Sequence, residues 1–199
     1  MYPLKKNMLT DDEKIKKIQK SFEDIMTTLW LDLEDDSLKR TPYRVAKMYV
    51  KEIFKGLNEK NKPEMRSFEN KYHYDEMVTV KDIKVHTACE HHLVPIVWKA
   101  YVAYIPNKKV VGLSKINRLV NYHCRRPQVQ ERLTEAIYQD LKKELNTENI
   151  AVYIEAKHYC VILRWIKDIN SSTTTTKMGW VFMEDNNIAR QEFLQIINK

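Results

Sequence analysis

The stretch "HTACEHHLVP", residues 86–95, sets Cys89, His91 and His92 within one turn's length of chain, with Glu90 between them. Thiolate and imidazole are donors that zinc favours, and a tetrahedral site draws three or four of them, here necessarily from more than one segment. Glu90 adds a carboxylate able to act as acid, base or hydrogen-bond acceptor. A second segment, "IAVYIEAKHYCVILR", reads as a strand in which Ile150, Val152, Ile154, Ala156, His158, Cys160, Ile162 and Arg164 share one face. An apolar face thus runs directly into an imidazole and a thiol. Burying an unpartnered imidazole is costly, and metal ligation or hydrogen bonding relieves that cost. If the two segments pair, Cys160 reaches Cys89. Two cysteines and one histidine then leave a fourth position open, as in catalytic rather than structural zinc sites. The C-x-x-H spacing favours His92 as the ligand and leaves His91 for substrate. Cys124 lies in a predicted helix away from other donors and is assigned to packing.

The elements that must position these groups follow from periodicity. Residues 11–30 place Ile15, Ile18, Phe22, Ile25, Met26 and Leu29 at helical spacing behind an acidic start. A second helix is predicted from Thr41 as cap, through Pro42 in the first turn, to Gly56 as the stop. It carries Arg44 and Lys47 as i, i+3 neighbours on one face. The polar stretch 57–76 reads as a connection. From residue 77 the period becomes two, and "MVTVKDIKV", "IVWKAYVAYIP" and "NIAVYIEAKHYCVILRW" predict strands. Between the last two lie a helix capped by Ser114 and another behind Pro127, with Val129, Leu133, Ile137 and Leu141 in line. A final strand "TTTTKMGWVFM" and a closing helix over 186–198 complete the pattern. The expected class is α+β: an antiparallel β-sheet with two helices on one face, behind an N-terminal helical arm over 1–60, with the catalytic domain over 61–199.

Composition narrows the functional classes. The chain has 199 residues, enough to bury a substantial core, and its odd count of three cysteines argues against a disulfide framework. A net charge of +7 carries little weight, because there is no dense stripe of lysine and arginine that would point to nucleic acid. Three glycines cannot build a glycine-rich phosphate loop, so any phosphate must be held by side chains and helix ends. No apolar run is long enough for a membrane span and the start lacks a secretory core, so the expected location is the cytoplasm.

In order along the chain, "CEHHLVP", "GLSKINRLV", "RRPQVQERLT", "HYCV" and "SSTTTT" resemble the GTP cyclohydrolase I family from about Thr41 to the C-terminus. That resemblance implies the tunnelling fold (T-fold), a toroidal homodecamer with sites between subunits, and Zn2+ held by Cys89, His92 and Cys160. It implies catalytic roles for His91 and His158, guanine recognition by Glu131 with Gln130 beside it, and a ribose or phosphate contact from Ser114. Lys115, Arg118 and Arg164 are implied triphosphate ligands, joined by Arg44 and Lys47; Glu90 is counted among the substrate contacts. The implied reaction is hydrolytic opening of the guanine imidazole ring of GTP at C8, with release of formate and formation of 7,8-dihydroneopterin triphosphate, the first step of tetrahydrofolate and pterin biosynthesis.

Two residues depart from the family pattern. Trp98 and Trp165 stand where a glycine is usual, and the expectation is that the two indoles lie close enough to fill one space. Three rivals differ in what they require. A related tunnelling-fold enzyme lacks the combined "CEHH" and "HYC" pattern. A non-catalytic zinc module needs a fourth protein ligand, His91 or His158. A nucleic-acid-binding protein needs a recognised module that is absent here.

Overall fold

The computed structural model describes residues 9–164, 166–183 and 188–198. The chain divides into two compact units, one ending at Glu59 and the other beginning at Lys60.

The first unit is helical. Helix α1 spans Asp11–Thr28 and opens on a capping box: Glu13 N–H donates to Thr10 Oγ1 at 3.3 Å and Thr10 N–H donates to Glu13 Oε2 at 2.7 Å. Ile15 and Met26 are its buried residues, while Phe22 meets Tyr49 edge-on at 5.6 Å. Helix α2 spans Thr41–Met48 with Arg40, not Thr41, at the cap position. It does not run on to Gly56. After Met48 the backbone widens into a π turn over Tyr49–Ile53, closed by Phe54 N–H donating to the Tyr49 carbonyl at 2.9 Å.

The second unit is α+β. Its main sheet has the order β5-β2-β3-β6-β7, with β2 over Val78–Cys89, β3 over Pro95–Tyr104, β5 over Pro127–Gln128, β6 over Ile150–His158 and β7 over Thr173–Met178. Helix α3 spans Leu113–Cys124 and α4 spans Gln130–Leu145. Both pack on one face of the sheet: Ile116, Leu119, Leu133, Ile137 and Leu141 share a core with Val85, Ile96, Ala100, Val102, Val152 and Ile154. On the other face, Tyr101, Ala103 and Ala151 pack with Phe182 and with Phe193 of α6, Ile188–Ile197. No helix among the described residues is long and apolar enough to cross a membrane.

Several boundaries differ from the sequence expectation. The sheet is mixed, because Pro127 and Gln128, expected in the first turn of a helix, form β5 and pair parallel with Ala88 and Cys89. The end of β2 offers an unpaired edge there, and pairing with it outweighs the helical preference of the segment. Ser114 is not a cap: Gly112 occupies that position, and Ser114 lies exposed inside the first turn of α3. The connection over 57–76 contains β1, Ser67–Glu69, which pairs with β4, Lys109–Val111, in a separate two-stranded sheet. The third predicted strand stops at His158 and turns into α5, Tyr159–Ile162. The last strand stops at Met178, before a 3-10 turn over Trp180–Phe182. The expected proximity of Trp98 and Trp165 lies outside the described residues, since Trp165 is not among them; Trp98 is 42% exposed, with Lys157 Nζ 5.3 Å from its ring centroid.

Where α3 packs beside α4, His123 Nε2 lies 2.8 Å from Asp140 Oδ2, and Lys62 Nζ lies 2.7 Å from the same oxygen. Burial pushes His123 below its ordinary 6.5, outweighing the hydrogen bond to Asp140. The neutral ring donates from Nε2, and Nδ1 has no hydrogen-bond partner among the described residues. Burial raises the Asp140 carboxyl, but hydrogen bonds from His123 and Lys62 outweigh it and bring it from 3.8 down to about 2. Both folded values lie below the unfolded ones, so the unfolded chain takes up protons first as pH falls, and stability falls with it. Below neutrality the expected Tm declines under 6.5 as His123 protonates in the unfolded state, and declines again between 3.8 and about 2 through Asp140. Thermal melts of the wild type and of His123→Asn across this range check it. The variant shows a shallower first decline, the remainder coming from His158, whose imidazole is also pushed down by burial; identical profiles exclude a contribution from His123.

Candidate metal and substrate site

Cys89 is the last residue of β2 and is 4% exposed. Its backbone closes the following turn on itself: Cys89 N–H donates to the Val94 carbonyl and Leu93 N–H to the Cys89 carbonyl, each at 2.8 Å. Leu93 adopts a left-handed φ of 55° to complete the reversal. The short strand β5 pins the same turn, since Glu90 N–H donates to the Gln128 carbonyl at 3.0 Å. This turn projects His91 and His92, both exposed, beside Cys89: Cys89 Sγ lies 3.7 Å from His91 Nδ1 and 4.0 Å from His92 Nδ1.

Cys160 arrives from just beyond β6, which is separated from β2 in the sheet by β3 alone. Because β6 ends at His158, Cys160 sits half-buried in α5 rather than on the strand face expected for it. The helical turn brings it in nevertheless. One ligand atom from each of Cys89, His92 and Cys160 lies within 4.8 Å of the others, a convergence among the described residues that could hold a metal ion. Burial and then the neighbouring Cys89 push the Cys160 thiol up, since two thiolates crowded together repel. Two soft sulfurs and an imidazole at this separation fit a zinc ion with donor bonds of about 2.0–2.3 Å after small side-chain rotations. A divalent cation would also offset the repulsion between the two sulfurs.

The first turn of α4 serves both sides of this cluster. Gln130 is 2% exposed and its Oε1 lies 2.7 Å from His158 Nε2. His158 itself is half-buried; burial pushes its imidazole down, against the opposing charge of Glu131. Arg132 donates from Nη1 to Glu90 Oε2 at 2.6 Å and from Nη2 to Oε1 at 3.3 Å. That hydrogen-bonded pairing lowers the Glu90 carboxyl and engages both of its oxygens, so Glu90, expected among the substrate contacts, is held by protein. Glu131, between these two anchors, is exposed.

The cationic residues are distributed more widely. Arg164 Nη1 donates to His92 Nε2 at 2.5 Å, so Arg164 joins the cluster directly. Lys115 and Arg118 lie in the first two turns of α3, half-buried and exposed respectively, and neither pairs with a carboxylate among the described residues. Arg44 and Lys47 are exposed on α2, in the first unit. Cys124 is fully buried in the core and its thiol is pushed up to about 12 by that burial, which leaves it an inert packing group.

Arg132 is the residue that sequence reasoning passed over. It stands within the "VQERLT" segment, but its partner lies 42 residues away and no local spacing announces the pair. The available signal was chemical: Glu90, an acid set among donors in a tight turn, calls for a cation.

The sequence model of the family described as GTP cyclohydrolase I matches residues 18–198. The GTP cyclohydrolase 1 of Flavobacterium johnsoniae is 54% identical over 189 residues, covering 95% of this chain and 84% of that protein. The protein of the same name from Yersinia enterocolitica is 52% identical over 195 residues, 98% of this chain and 88% of its own. That from Aliivibrio salmonicida is 50% identical over 192 residues, covering 96% and 88%.

Proposed function

The chain belongs to the GTP cyclohydrolase I family, and from that premise we propose that it opens the imidazole ring of GTP at C8 in a zinc-dependent hydrolysis. The products are formate and 7,8-dihydroneopterin triphosphate. One observation carries the reading: the ligand atoms of Cys89, His92 and Cys160, from two segments far apart in the chain, lie within 4.8 Å of one another. Zinc held by these three supplies Lewis acidity that makes water nucleophilic near neutral pH.

The residues of this chain do the rest. Glu131 accepts hydrogen bonds from the N1 and N2 donors of guanine, which adenine does not present, so the wrong base leaves its carboxylate unpaired. Lys115 and Arg118 add side-chain charge to the amino-terminal field of α3 and hold the triphosphate without a glycine loop. Ser114 contributes a hydroxyl at the same helix end; Arg164 brings further positive charge, as do Arg44 and Lys47 of α2 from another copy of the chain. His158 exchanges a proton with a ring nitrogen as C8 is attacked, and His91, beside Cys89, handles protons on the water side. One water opens the ring and a second releases C8 as formate. The exposed ribose then rearranges to a ketone, which condenses with the freed amine and loses water. The proposed architecture is the tunnelling fold in a homodecamer whose sites are shared between copies.

Incubating zinc-loaded protein with GTP tests this. Formate and, after oxidation, a fluorescent pterin are expected in equal amounts. His158→Ala is expected to retain zinc while formate release falls by about 10²-fold or more. Wild-type protein that holds one zinc per chain and releases no formate from GTP overturns the reading.

A further inference from the structure

We propose that Gln130 is a positioning residue that fixes the tautomer of His158, holding the ring proton on Nε2 and leaving Nδ1 as the atom that exchanges a proton with substrate. The part of this that concerns substrate rests on the GTP-hydrolysing reading above; the tautomer itself does not.

The tautomer follows from a count of hydrogen-bond donors. Gln130 is 2% exposed, so water is not at hand to complete its hydrogen bonds. Its Nε2 donates to the Ile154 carbonyl at 3.0 Å and to the Thr173 carbonyl at 2.8 Å. A primary amide has two hydrogens, and both are now committed to groups that accept and cannot donate. The amide orientation follows, because the flipped side chain would set Oε1 against two carbonyl oxygens. Those carbonyls do not move aside: they belong to the adjacent paired strands β6 and β7, in which Ala156 pairs with Thr173 and Ile154 with Thr175. Oε1 therefore faces His158 Nε2 at 2.7 Å, and an amide oxygen only accepts. The hydrogen lies on Nε2.

In the neutral ring the lone pair is then on Nδ1. This assigns Gln130 a different task from the substrate contact expected of it, since its two N–H groups are both engaged by backbone. It also explains a buried glutamine at the start of a helix where an apolar residue would pack. The sheet fixes the amide, the amide fixes the imidazole, and the imidazole presents a defined atom to the reacting ring.

Solid-state 15N NMR of zinc-loaded, histidine-labelled full chain reads the tautomer directly, with the His158 signals identified by their loss in His158→Asn. The wild type is expected to show the Nε2–H form at His158; an Nδ1–H form overturns the proposal, whether or not the protein turns over GTP. In Gln130→Met the acceptor is gone, and the His158 signals are expected to shift toward a mixture of tautomers. For that variant kcat for GTP is expected to fall about 10²-fold, with KM changed less than about threefold because no substrate contact is lost. A raised KM with unchanged kcat and an unchanged His158 signal makes Gln130 a substrate ligand instead and overturns the proposal. If Gln130→Met fails to fold, the wild-type spectrum still decides.

Discussion

Replacing Cys89 with alanine is expected to leave a folded protein that no longer retains metal and has lost GTP turnover by about 10³-fold or more, a lower bound set against the eight or so pKa units by which zinc activates water. The fold should survive because what shapes the turn is backbone: the hydrogen bonds between Cys89 and Val94 and between Leu93 and Cys89 need no sulfur. The metal site should not survive. His92 is exposed and Cys160 is half-buried, and two donors from separate segments cannot replace a set of three. Metal content after dialysis, measured by emission spectroscopy, should fall from one zinc per chain to below about a tenth. Cys124→Ala is the internal control, since its thiol is buried in the core and takes no part in the cluster. A Cys89→Ala protein with full zinc and full turnover would exclude Cys89 as a ligand.

The second large effect concerns stability. At Gly179 an added Cβ would come within 2.1 Å of Tyr138 Oη and 2.2 Å of the Glu148 carbonyl oxygen. The glycine is not there for an unusual backbone, since its φ of −117° and ψ of 166° suit any residue. Close approach demands it. Tyr138 cannot swing away freely, being buried between α4 and the sheet, and a backbone carbonyl has no rotamer at all. The start of β6 depends on the same place, because Gly179 N–H donates to the Ile150 carbonyl at 3.0 Å. Gly179→Ala is therefore expected to destabilise by about 3 kcal/mol, lowering Tm by roughly 6–12 °C for a unit of this size. Gly112→Ala is the control: the nearest atom to its new Cβ is Lys115 Cγ at 3.6 Å, an ordinary contact. A Gly179→Ala melt within about 2 °C of wild type would show that α4 and β6 separate more easily than their packing implies.

What the sequence determined by itself was whatever neighbouring residues decide among themselves. The apolar spacing of α1 and α4, the alternation along β3 and β6, and the C-x-x-H run from Cys89 to His92 are local, and each is visible without the fold. The α+β class followed from the order of those patterns. The tertiary structure decided the partners. That Pro127 and Gln128 leave the helix to pair with β2, that β6 stops at His158 so Cys160 arrives on a helical turn, and that Gln130 and Arg132 grip His158 and Glu90 are matters of long-range packing. His158 lies 28 residues from Gln130 and Glu90 lies 42 from Arg132. A side chain's local propensity carries no information about which donor or acceptor stands opposite it once the chain has folded. Hydrogen bonds and close contacts in the interior are selected by that geometry, because a buried polar group must find a partner wherever the sheet and helices have placed one.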